Sequence, residues 1–445
     1  MFKFPKNLYT DVRIEDVFET RIAYTLNKLD ENRTRKYSGA FIRVFDGERW
    51  YYSATTNIKG LQAEIDSLAC VARKNPGILK NKTVKKMQVN DAKRINYAQN
   101  SVEKIKNSQK DEYLQSYFGR LNSESKIKMW RAIYSDRRVV KKFVSSQGAR
   151  VEFDNQKCGA ILSFDMAYKK KMMPESFQVC AKDFKSLFGH EEEYNSYLKK
   201  CFSFIEESVP VKPGRYNVIL SPMTAGIFAH ESFGHKSEAD FMTGDETMKK
   251  EWAIGKKVGA PILTICDGGS HPDGEEAPFD DEGNIKKETF LIKKGILSGR
   301  LHSAATAADL DEEVTGNARA VNFEFEPIVR MTNTYIKAGN MTRDELFKTV
   351  KNGIYVEKLK HGSGMSTFTL APSLAYEIKD CKIGRPLNVA VITGNVFETL
   401  NDISGLSDEI KIYSFVSGGC GKMAQYPLSV SFGGPYTFVK NMNVQ

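Results

Sequence analysis

A chain of 445 residues, 41% hydrophobic and 11% aromatic, holds apolar material for two or three packed domains, which excludes a disordered polypeptide. The net charge of +10 raises a nucleic-acid partner, but the excess is scattered lysine between residues 73 and 142 and at 169–171. No arginine-rich arm, RNA-binding aromatic signature or zinc-finger spacing accompanies it, so nucleic acid is set aside.

Met1-Phe-Lys-Phe-Pro-Lys lacks the apolar core of a signal peptide, and no segment approaches the ~20 apolar residues that span a bilayer. Seven cysteines without a CxxC pair suit reduced thiols. A cytoplasmic protein without membrane attachment is expected.

In chain order, Val12 and Ile14 start a strand, and Ala40, Ile42 and Val44 alternate along a second that turns at Asp46-Gly47 and returns over 49–55. Asn57 reads as the cap of a helix with Ile58, Leu61, Ile65 and Leu68 inward. Residues 73–94 read as a lysine-rich surface excursion, and 98–121 as a second helix. Between 126 and 168 the period is two, giving four strands at 127–134, 139–144, 149–153 and 160–166, with turns at 146–148 and 155–159. A helix over 184–207 leads to Pro210-Val-Lys-Pro213-Gly214, where the pattern restarts.

The second half opens on a strand, Tyr216 to Leu220, then Ser221 as N-cap and Pro222 at the first helical position. That helix should end near Gly234. An isolated strand at 261–266 precedes the acidic, Gly-rich stretch 267–283, too long for a mere connection and read as functional or mobile. A hairpin at 290–301 turns on Lys294-Gly295, a short helix covers 343–351, and strands follow at 365–370, 375–378, 387–393, 410–415 and 428–432. The expected fold is α+β. A mixed α/β N-terminal domain (1–212) precedes a mostly antiparallel β C-terminal domain (213–445) with one buried helix that carries the chemistry.

That chemistry is His230-Glu231-Ser-Phe-Gly234-His235. Two imidazoles with a carboxylate beside the first are the ingredients of a hydrolytic metal site. In HExxH the histidines are four apart on one helix face. Here they are five apart, about 140° round a helix of ~3.6 residues per turn. Both reach one ion only if the helix stops or bulges between them, and Gly234 is the residue that permits it. Such sites take three protein ligands and a water. The third ligand is open among the other histidines, the acidic loop and the cysteines. Cys420 stands out in Val416-Ser-Gly-Gly-Cys420-Gly-Lys422, where glycines leave the sulfur unobstructed and Lys422 would favour the thiolate. A thiolate with two imidazoles suits zinc.

With these residues in view, the chain resembles the TldD/PmbA family of metallopeptidases, also called modulators of DNA gyrase, and most closely its catalytic TldD-type branch. The resemblance rests on His230-Glu231-Ser-Phe-Gly-His235 continuing into Lys236-Ser-Glu238-Ala-Asp240, on Asp280-Asp-Glu-Gly283, Leu291 to Gly299, Thr315-Gly316-Asn317-Ala318-Arg319, Arg330-Met-Thr-Asn-Thr334, Gly353-Ile-Tyr355 and Gly419-Cys420-Gly-Lys422. It covers residues 213–437; the first 200 match in outline only. It departs after the cysteine, at Met423-Ala-Gln425, and at Ala318 and Ala320.

The resemblance implies one Zn²⁺ per chain on His230, His235 and Cys420, with Glu231 as general base towards a water whose pKa falls to ~7. It also implies unfolded peptides as substrates and a dimer, of two copies or with a paralogous subunit, enclosing a cavity. Thr315, Gly316, Asn317 and Arg319 are candidate contacts to the peptide backbone. The alternatives are a non-catalytic peptide- or partner-binding subunit, or a basic factor associated with nucleic acid or gyrase.

Overall fold

The alternation at Ala40–Val44 belongs to a far longer ribbon. In the computed structural model, which describes residues 2–364 and 366–445, β1 (Tyr9–Thr25) and β2 (Lys28–Phe45) form one antiparallel hairpin. It closes at Leu26-Asn27 with both residues at positive φ, the type I′ geometry that follows the strand twist. Then come β3 (Trp50–Thr55), α1 (Leu61–Val71), α2 (Lys82–Lys86), β4 (Asp91–Arg94), α3 (Asn107–Gln115) and α4 (Phe118–Ser123). Next are β5 (Ile127–Ser145), β6 (Arg150–Tyr168), β7 (Lys171–Ala181) and α5 (Glu191–Glu207). The sheet order is β3-β2-β1-β5-β6-β4, with β7 also on β6.

Several expectations are corrected here. The four strands of 127–166 are two, because residues 155–159 continue β6 in register with β5 instead of turning. Residues 98–121 hold two helices, with Ser116 and Tyr117 between them. Asn57 makes no side-chain cap; a 3₁₀ turn at Ile58–Gly60 leads into α1. The lysine-rich excursion contains α2 and β4.

In the second half the strands are β8 (Val209–Pro210), β9 (Gly214–Leu220), β10 (Ile265–Gly268), β11 (Thr289–Lys293), β12 (Ile296–Leu297), β13 (Ala318–Arg319) and β14 (Ile328–Val329). They continue as β15 (Asn333–Ile336), β16 (Gly353–Gly364), β17 (Thr367–Lys379), β18 (Lys382–Asn388), β19 (Ile392–Asn395), β20 (Ile403–Leu406) and β21 (Lys411–Tyr413). Last come β22 (Cys420–Lys422), β23 (Gln425–Leu428), β24 (Ser431–Gly434) and β25 (Thr437–Val444).

One sheet runs β12-β11-β10-β15-β24-β21 and another β16-β9-β25-β19-β17-β18-β8, with β20 on β25. Among the described residues of this half only the strand pairs β15–β24, β16–β9 and β18–β8 run parallel, so the half is mostly antiparallel as expected. Met365, expected to open a strand, lies outside the described residues.

Helix α6 (Pro222–Ala229) lies between these sheets, against β15 and β24 on one side and β9 and β16 on the other. Ser221 caps it as the sequence indicates, its Oγ accepting from Thr224 N at 3.2 Å, with Pro222 at the first position. Phe228 and Phe233 are fully buried in the core between the sheets. A second apolar core joins both halves of the chain, with Trp130 and Leu162 of the first sheet, Leu198 of α5, and Ile219, Tyr355 and Leu374 of the second half.

The acidic stretch 267–283 is a clasp between the halves. Glu275 pairs with Lys157 at 3.0 Å, Asp281 with Lys141 at 2.6 Å, and Glu282 with Arg43 at 3.0 Å. Burial would raise the Asp281 carboxyl, but the Lys141 and Arg13 charges outweigh it and hold it down at about 2.

The tightest contact of α6 is Gly226 against β24, where a Cβ would meet Gly433 N at 2.3 Å and Gly433 Cα at 2.5 Å. Backbone cannot give way as a side chain does, so Gly226→Ala is expected to cost about 2–3 kcal/mol. Gly119→Ala, in exposed α4 with nothing within 4 Å of the new Cβ, should stabilise by about 0.5–1 kcal/mol. Urea unfolding of both variants in chelator checks the pair.

Candidate metal centre

After Ala229 the helix widens. Residues His230–Gly234 form a π-helical turn, closed by His235 N–H donating to His230 C=O, and a 3₁₀ turn follows at His235–Ser237. In an i→i+5 turn, residues five apart stack as residues four apart do in an α-helix. The spacing that looks wrong for an α-helix therefore puts both imidazoles on one side, their ring centroids 5.1 Å apart. Gly234 plays another part than the expected one. Its φ of −56° is ordinary helix, open to any residue. Its lack of a side chain matters because a Cβ would sit 2.1 Å from Met331 Sδ.

Cys420 arrives from 185 residues away and lies 3.3 Å, Sγ to Nε2, from His235. Its approach runs through Gly418 and Gly419, at φ +83° and +151°, and a Cβ on Gly419 would strike Leu428 O at 2.1 Å. One donor atom from each of His230, His235 and Cys420 lies within 4.8 Å of the others.

Zinc at its usual bond lengths to sulfur and nitrogen sets tetrahedral donors about 3.5 Å apart, which suits the His235–Cys420 separation. His230 is buried with its Nδ1 unpartnered, and a bound ion is one of the few things that would account for a buried orphan of this kind. Burial holds the His230 pKa well down, with His235 and Arg330 adding to the effect, so this imidazole is in its neutral, ligating form. The residues fit an ion.

The neighbours orient the donors. His235 Nδ1 sits 3.1 Å from Glu238 Oε2, the carboxylate–histidine arrangement that fixes a ligand's tautomer. Burial would lower the His235 pKa, but the Cys420 sulfur and the Glu238 carboxylate outweigh it and lift it to about 10. That proton is the one an ion would displace.

Lys422 does not serve the sulfur as its position suggested. Its ammonium is buried on Asp240 at 2.6 Å, Glu238 at 3.1 Å and the Val329 carbonyl at 2.9 Å. Arg330, fully buried, donates to the Cys420 carbonyl at 2.6 Å and pins the cysteine loop. Glu238, three residues past His235, was within reach of sequence reasoning; Arg330 carried no such signal.

Glu231 is half-buried, and Ile227, one turn earlier, lines a cleft of about 1860 Å³ whose walls come from both halves of the chain; Glu231 itself is not in that wall. Burial raises the Glu231 pKa, with His235 opposing, which makes the carboxylate a stronger base.

The other four candidates lie apart from the histidines. Thr315 Oγ1 bonds Asn317 Oδ1 at 2.8 Å, and Asn317 is fully buried on Asp267, Lys286 and the Arg330 carbonyl. Gly316 at φ +71° packs against Ile285 and Lys286 backbone. Arg319 borders the cleft but spends two donors on the Met331 and Ser429 carbonyls. Of the four, Arg319 holds the Ser429 carbonyl and Asn317 the carbonyl of Arg330, the residue that bonds Cys420.

Comparison with known sequences decides the lineage. Residues 213–445 match the model of the PmbA/TldA metallopeptidase C-terminal domain, and residues 10–75 that of PmbA/TldA metallopeptidase domain 1. The chain belongs to the TldD/PmbA metallopeptidase family.

A family member from Synechocystis, named a metalloprotease, is 38% identical over 240 residues, 53% of this chain and 51% of that protein. The match thus spans about half that relative's length. A Saccharolobus solfataricus protein, named a zinc metalloprotease TldD homolog, is 30% identical over 100% of this chain and 99% of its own. The fold is shared with TldE from Thermococcus kodakarensis at a TM-score of 0.78 and 15% identity, over 98% of this chain and 96% of that one. No helix among the described residues is long and apolar enough to cross a membrane.

Cys420→Ser should lower bound metal well below that of the unaltered protein by elemental analysis. Glu238→Gln should leave the stoichiometry intact but weaken affinity about 10–100-fold in chelator competition, since it loosens a ligand without removing one.

Proposed function

We propose that the protein is a zinc-dependent peptidase acting on unfolded or unstructured peptides, with one ion per chain on His230, His235 and Cys420 and Glu231 as general base. The observation that carries this is the π-helical turn, which brings two five-spaced histidines together with Cys420 and leaves Glu231 partly exposed, one turn beyond Ile227 of the cleft wall. A zinc ion held there would polarise the scissile carbonyl and make water acidic enough to react near neutral pH. Glu231 takes the proton of the attacking water and passes it to the leaving amine; its half-buried carboxylate suits both transfers. Glu238 holds the His235 ring, and Arg330 holds the loop that presents Cys420.

The peptide is proposed to bind as an added strand. Strand β16 pairs with β9 only over Ile354–Val356 yet continues to Gly364, so its side towards the histidine turn has no strand partner among the described residues. A Cβ on Gly362 would lie 3.6 Å from Glu231 Cγ, so this part of β16 runs close to the base. Main-chain pairing gives affinity with little dependence on sequence and requires an extended chain. A cytoplasmic setting and a dimer, of two copies or with a paralogous chain, complete the proposal.

Glu231→Gln keeps the volume and the donor set and removes the base. Cleavage of an unfolded peptide should fall by about 10²–10⁴-fold while metal content is unchanged. Retained cleavage would take Glu231 out of this role.

A further inference from the structure

From Ser221 to Ala239 every residue is buried except Met223, Ile227, Glu231 and His235, which are partly exposed. They stand four apart, so helix and π turn together present one continuous stripe towards solvent. Its last two members are the base and a metal-site histidine. Its first two are apolar, and both line the cleft.

The same cleft is lined by Phe432 of β24 and Phe415, which lie 4.8 Å apart between ring centroids and are both half-buried, and by Val416. The Phe432 ring is also 5.8 Å from the His230 ring. Elsewhere the cleft walls are rich in charge, including Glu15, Arg137, Lys157, Glu275, Lys358 and Lys411. Apolar side chains occur elsewhere in the walls too, such as Ile161 and Phe177, but Met223, Ile227 and Phe432 are the ones borne by the elements that carry or pack against the histidine turn.

Half-buried large apolar side chains in a concave wall are the composition of a pocket that binds apolar groups. We infer that Met223, Ile227, Phe415, Val416 and Phe432 form a subsite for a large apolar side chain adjoining the scissile bond, so that the protein cuts unstructured segments beside Leu, Ile, Met or Phe. The inference rests on the peptidase reading and adds a selectivity to it. Strand pairing along β16 fixes the peptide's direction and register without reading its sequence. The stripe on α6 reads one side chain. The same loop carries Phe415 and Val416 into Gly418, Gly419 and Cys420, so subsite and metal centre are positioned together.

The test uses two unstructured peptides of equal length that differ only at the residues flanking one bond, Phe in one and Glu in the other. The zinc-loaded protein should cleave the Phe peptide at least roughly tenfold faster in kcat/KM, the discrimination one apolar pocket supplies. Phe432→Ala should erase most of that ratio, bringing cleavage of the Phe peptide down to about that of the Glu peptide. Binding to zinc-loaded Glu231→Gln, followed by anisotropy, supplies a readout that needs no turnover. The Phe peptide should bind at least roughly fivefold more tightly, and adding Phe432→Ala should remove the difference.

Equal cleavage and equal binding of the two peptides would overturn the subsite and leave the peptidase reading standing. A Phe432→Ala variant that folds, holds metal and keeps the preference would also overturn it; Met223→Ala gives a second probe if Phe432→Ala does not fold. No cleavage of either peptide, with the binding preference present, would sink the peptidase reading and keep the subsite.

Discussion

The geometry of this protein turns on one backbone hydrogen bond, His235 N–H to His230 C=O, which spans five residues where an α-helix would span four. In a regular helix the two histidines would diverge by about 140° and no single ion could use both. The wide turn costs some helical regularity, and the surroundings hold it in place. Gly234 lets Met331 close on one flank, and Gly226 brings α6 onto the backbone of β24. Phe233 and Trp252 pack their rings 4.8 Å apart beneath it. Departures from ordinary helix persist where packing over-determines them, and they gather at functional sites for that reason.

Around that turn several buried charges are paired with one another. Lys422 sits between Glu238 and Asp240, and Glu238 in turn faces His235, giving a chain of alternating charge that runs from the protein body to the sulfur of Cys420. Removing one member of such a chain leaves its neighbour buried and uncompensated, which is where the large energetic penalties arise. The same logic appears at the junction of the two halves, where Asp281 lies among Lys141 and Arg13, and Glu282 and Asp11 share Arg43.

The chemistry-bearing residues were more legible in the sequence than the strands. Three unusual residues packed close together on an apolar helix announce a site by their expense alone, and the glycines around Cys420 announce a close backbone approach. The odd spacing of the histidines predicted a distortion, and the π turn supplies it, although Gly234 serves packing rather than backbone freedom. The long hairpin β1–β2 was half hidden. Lys28 to Lys36 is almost wholly polar, so no alternation marks it, and its turn is Leu26-Asn27 rather than a glycine pair. Lys169 and Asp380-Cys381 hide two further turns by adopting positive φ without glycine. The 267–283 stretch read as functional or mobile because its acidity was visible and its basic partners, 118 and 140 residues away at Lys157 and Lys141, were not.

The shared core and the acidic clasp have a bearing on how a cleft of this kind chooses what enters it. A two-part protein with a small polar joint can open and shut around its ligand. Here apolar side chains of both halves belong to one core, and the clasp adds ion pairs buried at the seam. The two walls are thus tied together by a shared core and by buried ion pairs. Under the proposed function, a seam held in this way would favour extended chains over folded domains without a gate or a moving lid.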